Sequence, residues 1–308
     1  MANINFNSKK ALKICLIVYA VLFIIGIVMT AIMGVSLDIN FSGGTRISYS
    51  YTGEIAEADF EKTVGEVITQ DFSVAKNTSL AGDVTTMTIT LTGKDALASS
   101  AQEDLSEKLT KAYPDNKIEL YDSNSVSPTI AGSFFAKSLV AVLITAVLVV
   151  IYVSIRFKKI GGFSAAITAF VAVVLDVLTT FFICAIFRLQ IDSNYLAVVL
   201  TILGYSLNDT IVVYDRVREN KKLYPQKSVT ELMDISTQGI IRRNIITTVT
   251  TVLAILTIIV VAEIYGLTSL RTFAIPMAFG LISGCVSSLF VAGPLWAIWQ
   301  ENKKTKKA

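Results

Sequence analysis

Six apolar stretches dominate the sequence, at residues 14–33, 138–155, 163–187, 193–214, 244–262 and 272–300. A bilayer core about 30 Å thick takes roughly 20 apolar residues per helix, and it tolerates no unpaired backbone amide. The chain is therefore constrained to an α-helical polytopic membrane protein with six transmembrane helices. The first stretch follows Lys9, Lys10 and Lys13 and has the outline of a secretory signal. Its uncharged run exceeds the roughly 7–15 residues of a cleavable apolar core and no A-x-A pattern follows, so it reads as an uncleaved anchor. The last stretch is long enough to tilt or to include an interfacial end. Composition agrees: 53% hydrophobic residues, 17% charged and a mean hydropathy of +0.62 exclude a disordered tail, a nucleic-acid-binding domain and a disulfide scaffold.

The formal net charge of +3 is a cancellation. Residues 34–135 hold 15 acidic and 7 basic residues, a net of −8, and the rest of the chain carries 20 basic against 9 acidic, a net of +11. Basic residues collect at the N-terminus, at Arg156, Lys158 and Lys159, in residues 216–243, and in a tail with Lys303, Lys304, Lys306 and Lys307. The alternate loops carry only Arg188 and Arg271. Lys and Arg accumulate in cytoplasmic loops, so both termini are expected in the cytoplasm and the acidic block outside. The expected organisation is residues 1–33 as N-terminus and first span, 34–135 as an extracytoplasmic domain, 136–300 as a five-helix bundle and 301–308 as a basic tail. In the outer block, residues 47–51, 84–91 and 117–121 read as strands, and 54–69 and 95–111 as helices. With a fourth strand to which the pattern gives no bounds, the order strand, helix, strand, strand, helix, strand suggests one α+β domain of ferredoxin-like type between the first two spans.

An ionisable residue in mid-bilayer is expensive and marks a candidate site. Asp176 lies 13 positions into the third span, about 20 Å at 1.5 Å per residue. Thr168, Ala172, Thr179 and Thr180 share its helix face, a small and hydroxylated stripe suited to helix contacts. In the fourth span Thr201, Tyr205, Asn208 and Asp209 fall at i, i+4, i+7 and i+8 on one face. The fifth span begins near Arg243, with Thr247, Thr250 and Thr251 at matching depth. Asp209 and Arg243 thus occupy one leaflet and can pair if the two spans are neighbours; making and breaking that contact would take up and release a proton. The bland readings are an Asp176 that hydrogen-bonds across helices without titrating and an Arg243 that snorkels to lipid phosphates.

Other chemistries are excluded by what the chain lacks. It has no histidine, which removes His triads, His metal sites and His relays. Cys15, Cys184 and Cys285 lie in apolar stretches without CxxC spacing and read as packing residues. The segment before Asp209 lacks the GxGD pattern of intramembrane aspartyl proteases, and Asp215 opens a basic loop. The run Phe41-Ser42-Gly43-Gly44-Thr45 has no following Lys and precedes a strand, so it is no phosphate loop. No enzyme activity, cofactor or metal is expected.

The run from Leu203 through Gly204-Tyr205-Ser206-Leu207-Asn208-Asp209-Thr210 to Asp215-Arg216-Val217-Arg218-Glu219-Asn220 resembles, almost letter for letter, a stretch of the SecD/SecF family of the resistance-nodulation-division superfamily. Asn40-Phe41-Ser42-Gly43-Gly44-Thr45 is similar to the family's D-F-S/T-G-G-T element, Arg243-Asn244 to the R-T opening of its fifth span, and Leu175-Asp176-Val177 to its H-D-V. Asn40, Asn244 and Leu175 depart from that pattern; Asp209 and Arg243 keep it. The resemblance implies SecD as partner, the SecYEG channel nearby, a preprotein substrate and use of the proton-motive force, with Asp209, Arg243, Asn208, Tyr205 and Asp176 as coupling residues. A proton-driven small-molecule or lipid exporter of the superfamily is the runner-up, and a non-transporting scaffold the third reading.

Overall fold

The computed structural model describes residues 7–78, 84–92, 97 and 99–305. The start of the helix expected from residue 95, and Lys306 and Lys307 of the basic tail, lie outside them. Six helices among the described residues are long and apolar enough to cross a membrane. Helix α1 spans Ser8–Met33, and the side chain of Asn7 caps it by accepting from the Lys10 amide. After a short α2 (Ile39–Ser42) come β1 (Gly44–Tyr51), α3 (Glu57–Gly65), β2 (Phe72–Thr78), β3 (Thr85–Thr92), α4 (Ser99–Ala112) and β4 (Glu119–Val126). Helix α5 (Pro128–Arg156) starts directly after β4, with Ser127 as N-cap and proline at its first position. Helix α6 is Gly162–Ile186, and α7 is Ser193–Leu223, capped by Asp192. Helix α8 (Val229–Ile264) opens on a capping box between Ser228 and Glu231. The sixth span, Thr268–Lys303, combines α9 (Thr268–Ser287), a π-helical turn (Ser288–Ala292) and α10 (Gly293–Thr305).

Helices α7 and α8 continue well past their apolar stretches, so their polar ends stand beyond the membrane-spanning part as a hairpin. At the same end the Ser8 amide donates to Asp234 Oδ1 at 3.0 Å, while Lys9 and Thr230 both engage Glu301. Helices α6, α7 and α9 form the centre of the bundle. Helices α1, α5 and α8 are far more exposed along their apolar windows.

The strands form one antiparallel sheet in the order β2-β3-β1-β4, with Ile47 opposite Ile89 and Tyr49 opposite Met87. Helices α3 and α4 close one face, where Ile47, Tyr49, Phe60, Val64, Met87, Ile89, Leu105 and Leu109 are all at most 1% exposed. The other face is hydroxylated, with Ser48 Oγ and Thr88 Oγ1 3.0 Å apart. Helix α3 is shorter than the expected 54–69. Strand β4 begins later and runs further than the expected 117–121, because Lys117 takes a left-handed turn conformation at φ 45°. Burial pushes the Tyr49 hydroxyl above its usual range, partly offset by its bond to Ser106.

The Gly43-Gly44 pair has a packing reason. Both carry positive φ, and a Cβ on Gly44 would stand 2.0 Å from the carbonyl oxygen of Leu91 as β1 enters the sheet. Just before it, Leu37 bridges Ile191, with the Asp38 amide bonded to the Ile191 carbonyl and the Ile191 amide to that of Ser36. Asp38 also pairs with Arg46 and accepts from Asn40 Nδ2 at 2.7 Å, so the Asn40 departure leaves a carboxylate at this corner. The sheet and the bundle thus meet along the segment joining α1 to β1.

Candidate functional site

Asp176 on α6 is fully buried, with 0% exposure. Charge at such depth costs several kcal/mol unless it is satisfied. Three hydroxyls point at it: Ser283 Oγ donates to Oδ1 at 2.5 Å, and Ser206 Oγ and Ser287 Oγ to Oδ2 at 2.6 and 2.8 Å. Ser206 comes from α7 and the other two from α9. The expected face neighbours Thr168, Ala172, Thr179 and Thr180 are all buried against other helices. A further layer follows, in which Tyr19 of α1 places its hydroxyl 2.9 Å from Ser283 Oγ and 3.2 Å from the Ser283 carbonyl. Behind these groups Ser288 Oγ donates to the Ser206 carbonyl at 3.0 Å and lies 2.8 Å from Thr210 Oγ1.

The close approach of α7 and α9 depends on small residues. A Cβ on Gly280 would fall 2.1 Å from Ile202 Cδ1, and one on Gly284 would stand 3.2 Å from Ser206 Cβ. Directly after Ser287 the π turn inserts its extra residue, and Ser287 and Ser288 both remain fully buried.

Asp209 lies one turn beyond Ser206 on α7 and is 5% exposed. It shares a narrow gap with Tyr205, Ser206, Gly280 and Gly284. Helices α7 and α8 pack together, and Tyr205 Oη lies 2.7 Å from Thr251 Oγ1, which joins the two stripes at matching depth. The Asp209–Arg243 contact is open in this structure: no ion pair joins them among the described residues. Arg243 is exposed beside a polar cleft of about 770 Å³ with Asp215, Arg216, Glu219 and Lys222. Asp215 is engaged there by Arg156 and Arg218, and Glu219 by Arg216. Thr201, Asn208, Thr247 and Thr250 are exposed, so this polar face of α7 and α8 is uncovered in the chain by itself.

The sequence reading missed Ser283, Ser287 and Tyr19. The signal was present, since Gly280, Ser283, Gly284, Ser287 and Ser288 form a run of small residues at three- and four-residue spacing inside the last apolar stretch. Leu175, where the resembled pattern has His, packs in an apolar cluster with Leu12, Tyr19 and Val291.

Residues 105–302 match the model of the family described as protein export membrane protein SecD/SecF, C-terminal. This chain belongs to the SecD/SecF family. Protein translocase subunit SecF of Alicyclobacillus acidocaldarius is 28% identical over 306 residues, covering 99% of this chain and 96% of the relative. Protein translocase subunit SecDF of Bacillus subtilis is 31% identical over 311 residues, 98% of this chain but 39% of that relative. Among SecD/SecF structures, crystalline SecDF of Thermus thermophilus, a translocon-associated membrane protein, superposes with a TM-score of 0.78 at 24% identity, covering 97% of this chain and 40% of that one. The chain thus spans nearly the whole of a SecF and about two fifths of a SecDF.

Proposed function

We propose that this chain is a protein translocase subunit of the SecF kind, which works with SecD beside the SecYEG channel and uses the proton-motive force to draw a preprotein across the bacterial plasma membrane. The observation that carries the reading is a pair of buried carboxylates, Asp176 and Asp209, with an arginine on the neighbouring helix α8, Arg243, that makes no ion pair among the described residues. Asp209, Arg243, Asn208, Tyr205 and Asp176 serve as coupling residues. With Arg243 drawn in, Asp209 is held ionised; with Arg243 withdrawn, desolvation favours its protonated form. The SecDF relatives join a second segment to the counterpart of this chain, and an uncovered face bearing Asn208, Thr247, Thr250 and Arg243 is suited to a polar membrane helix from that partner. Both termini lie in the cytoplasm. The β-α-β-β-α-β sheet, in the order 2-3-1-4, is a ferredoxin-like extracytoplasmic domain that handles the emerging substrate.

The test is the fraction of a model preprotein chased to full translocation in inverted membrane vesicles, with and without a proton gradient, at matched subunit levels. Asp209→Asn and Arg243→Ala should each abolish the gradient-dependent increment, and Arg243→Lys should restore part of it, since charge returns without the guanidinium fork. A wild-type response from Asp209→Asn would overturn the coupling role.

A further inference from the structure

We propose that Ser283 and Tyr19 couple the protonation of Asp176 to the position of the first membrane span, and through it to the sheet domain. The inference deepens the coupling reading above and rests on it. It follows from counting donors. A serine or tyrosine hydroxyl has one proton to give, and an ionised carboxylate only accepts. With Asp176 ionised, Ser206, Ser283 and Ser287 each spend their proton on it. The Tyr19 proton then goes to Ser283, at Oγ or at the carbonyl.

Adding one proton to Asp176 changes the count. The new O–H needs an acceptor, and the hydroxyls in contact with the carboxyl are the same three serines. Whichever serine accepts must turn its own proton elsewhere. Ser287 has the Gly284 carbonyl at 3.2 Å. Ser283 has Tyr19 Oη at 2.9 Å and Thr179 Oγ1 at 3.4 Å. Ser283 makes the shortest contact to the carboxyl and has the nearer alternative, so it is the serine that turns. The Tyr19–Ser283 bond then reverses: Ser283 donates to Tyr19 Oη, and the Tyr19 proton is confined to the Ser283 carbonyl. One proton enters, no hydroxyl is orphaned, and no other bond forms or breaks.

The reversal matters because of how α1 is held. Its buried positions Leu12, Tyr19 and Gly26 recur every seven residues, a single seam, while Ile17, Val21, Ile24 and Val28 are exposed. Among the described residues, Tyr19 is the side chain in the apolar part of α1 that hydrogen-bonds to another helix. Gly26 fixes the outer half of the seam, where a Cβ would stand 2.4 Å from the Phe182 ring. Beyond it α1 runs through Gly34 and the Leu37–Ile191 bridge into β1. The ionisable groups facing Asp176 are Tyr19 from α1, Asp209 from α7 and Cys285 from α9. No lysine or arginine among the described residues bonds to it.

Two readouts test the coupling on the full chain assembled with its partner in membranes. The first is the infrared band of a protonated carboxyl in acid-minus-neutral difference spectra. The component lost in Asp176→Asn should be displaced in Ser283→Ala, restored to position by Ser283→Thr, and retained in Asp209→Asn, whose own component is removed separately. The second uses Ser36→Cys in a background lacking the three native cysteines, at the exit of α1. Its maleimide-labelling rate, taken as the ratio to the same probe in Asp176→Asn so that thiol ionisation cancels, should change severalfold between acid and neutral pH. Tyr19→Phe should flatten that ratio while leaving the infrared band present. A carboxyl band unchanged in position and amplitude by Asp176→Asn, or a pH-dependent ratio unchanged by Tyr19→Phe, overturns the proposal. The outcomes separate the two readings: failure of Asp209→Asn to abolish the gradient response counts against the coupling function and leaves the Asp176 band and the Tyr19 effect standing.

Discussion

At the scale of single residues, the buried polar groups divide into satisfied and unsatisfied ones, and the division has consequences. Asp176 has three donors, whereas Asn244 is 2% exposed and its Nδ2 has no partner among the described residues. A buried donor left unpaired costs about 1–3 kcal/mol. Asn244 stands where the resembled pattern carries threonine, whose hydroxyl can bond back to the carbonyl four residues earlier on its own helix. Asn244→Thr should therefore raise the thermal unfolding midpoint of the detergent-solubilised protein by a few degrees, and a lowered midpoint would show that the amide is satisfied. The asparagine was visible in the sequence, but its isolation was not. Whether a buried amide finds a partner depends on side chains from other helices, and periodicity along one helix says nothing about them. Asp176 shows the same limit. Its small, hydroxylated stripe was legible on α6, while two of its donors stand 107 and 111 positions away on α9.

At the scale of elements, the packing of α9 against α7 is set by glycines and serines that allow backbones to approach. Alanine at position 280 would put Cβ 2.1 Å from Ile202 Cδ1 and 2.7 Å from Thr180 Cγ2. Overpacking of this kind costs about 1–3 kcal/mol. Gly280→Ala should lower the unfolding midpoint, and adding Ile202→Val, which removes the clashing methyl, should recover part of the loss. A double variant no better than the single one would place the constraint elsewhere. The spans themselves were legible because the bilayer demands long apolar runs. Their ends were not, since α7 and α8 continue as ordinary capped helices once they leave the apolar stretch. Strand β1 was legible from alternation in Ile47-Ser48-Tyr49-Ser50-Tyr51. Strand β4 was only partly so, because Asp122-Ser123-Asn124-Ser125 has no apolar alternation and is held by pairing with β1 along the sheet edge. The π turn left no pattern that hydropathy could register.

At the scale of the whole molecule, charge and topology must agree if the proposed orientation is right. The described residues place the sheet domain at the α1–α2 end of the bundle, where it meets the α6–α7 connection through the Leu37–Ile191 bridge and α9 through the contact of Asn77 with Thr268. The opposite end carries the α7–α8 hairpin, with Arg216, Arg218 and Lys222 around its polar cleft, and the basic segment Arg156-Phe157-Lys158-Lys159. In the proposed orientation the end with excess Lys and Arg in short connections lies in the cytoplasm, as a domain of about 100 residues crosses regardless of its own charge. Lys76 on β2 and Lys222 near the end of α7 are both exposed, so each reports its side without disturbing the core. With Cys15, Cys184 and Cys285 replaced, Lys76→Cys should react with an impermeant maleimide in intact cells whose outer membrane or wall admits the reagent. Lys222→Cys should react only after the plasma membrane is opened. The reverse pattern would invert the molecule and move the cleft beside Arg243 to the outer surface. Equal labelling of both sites in intact cells would leave an odd number of spans between outer and inner ends untenable, and with it the six-span layout.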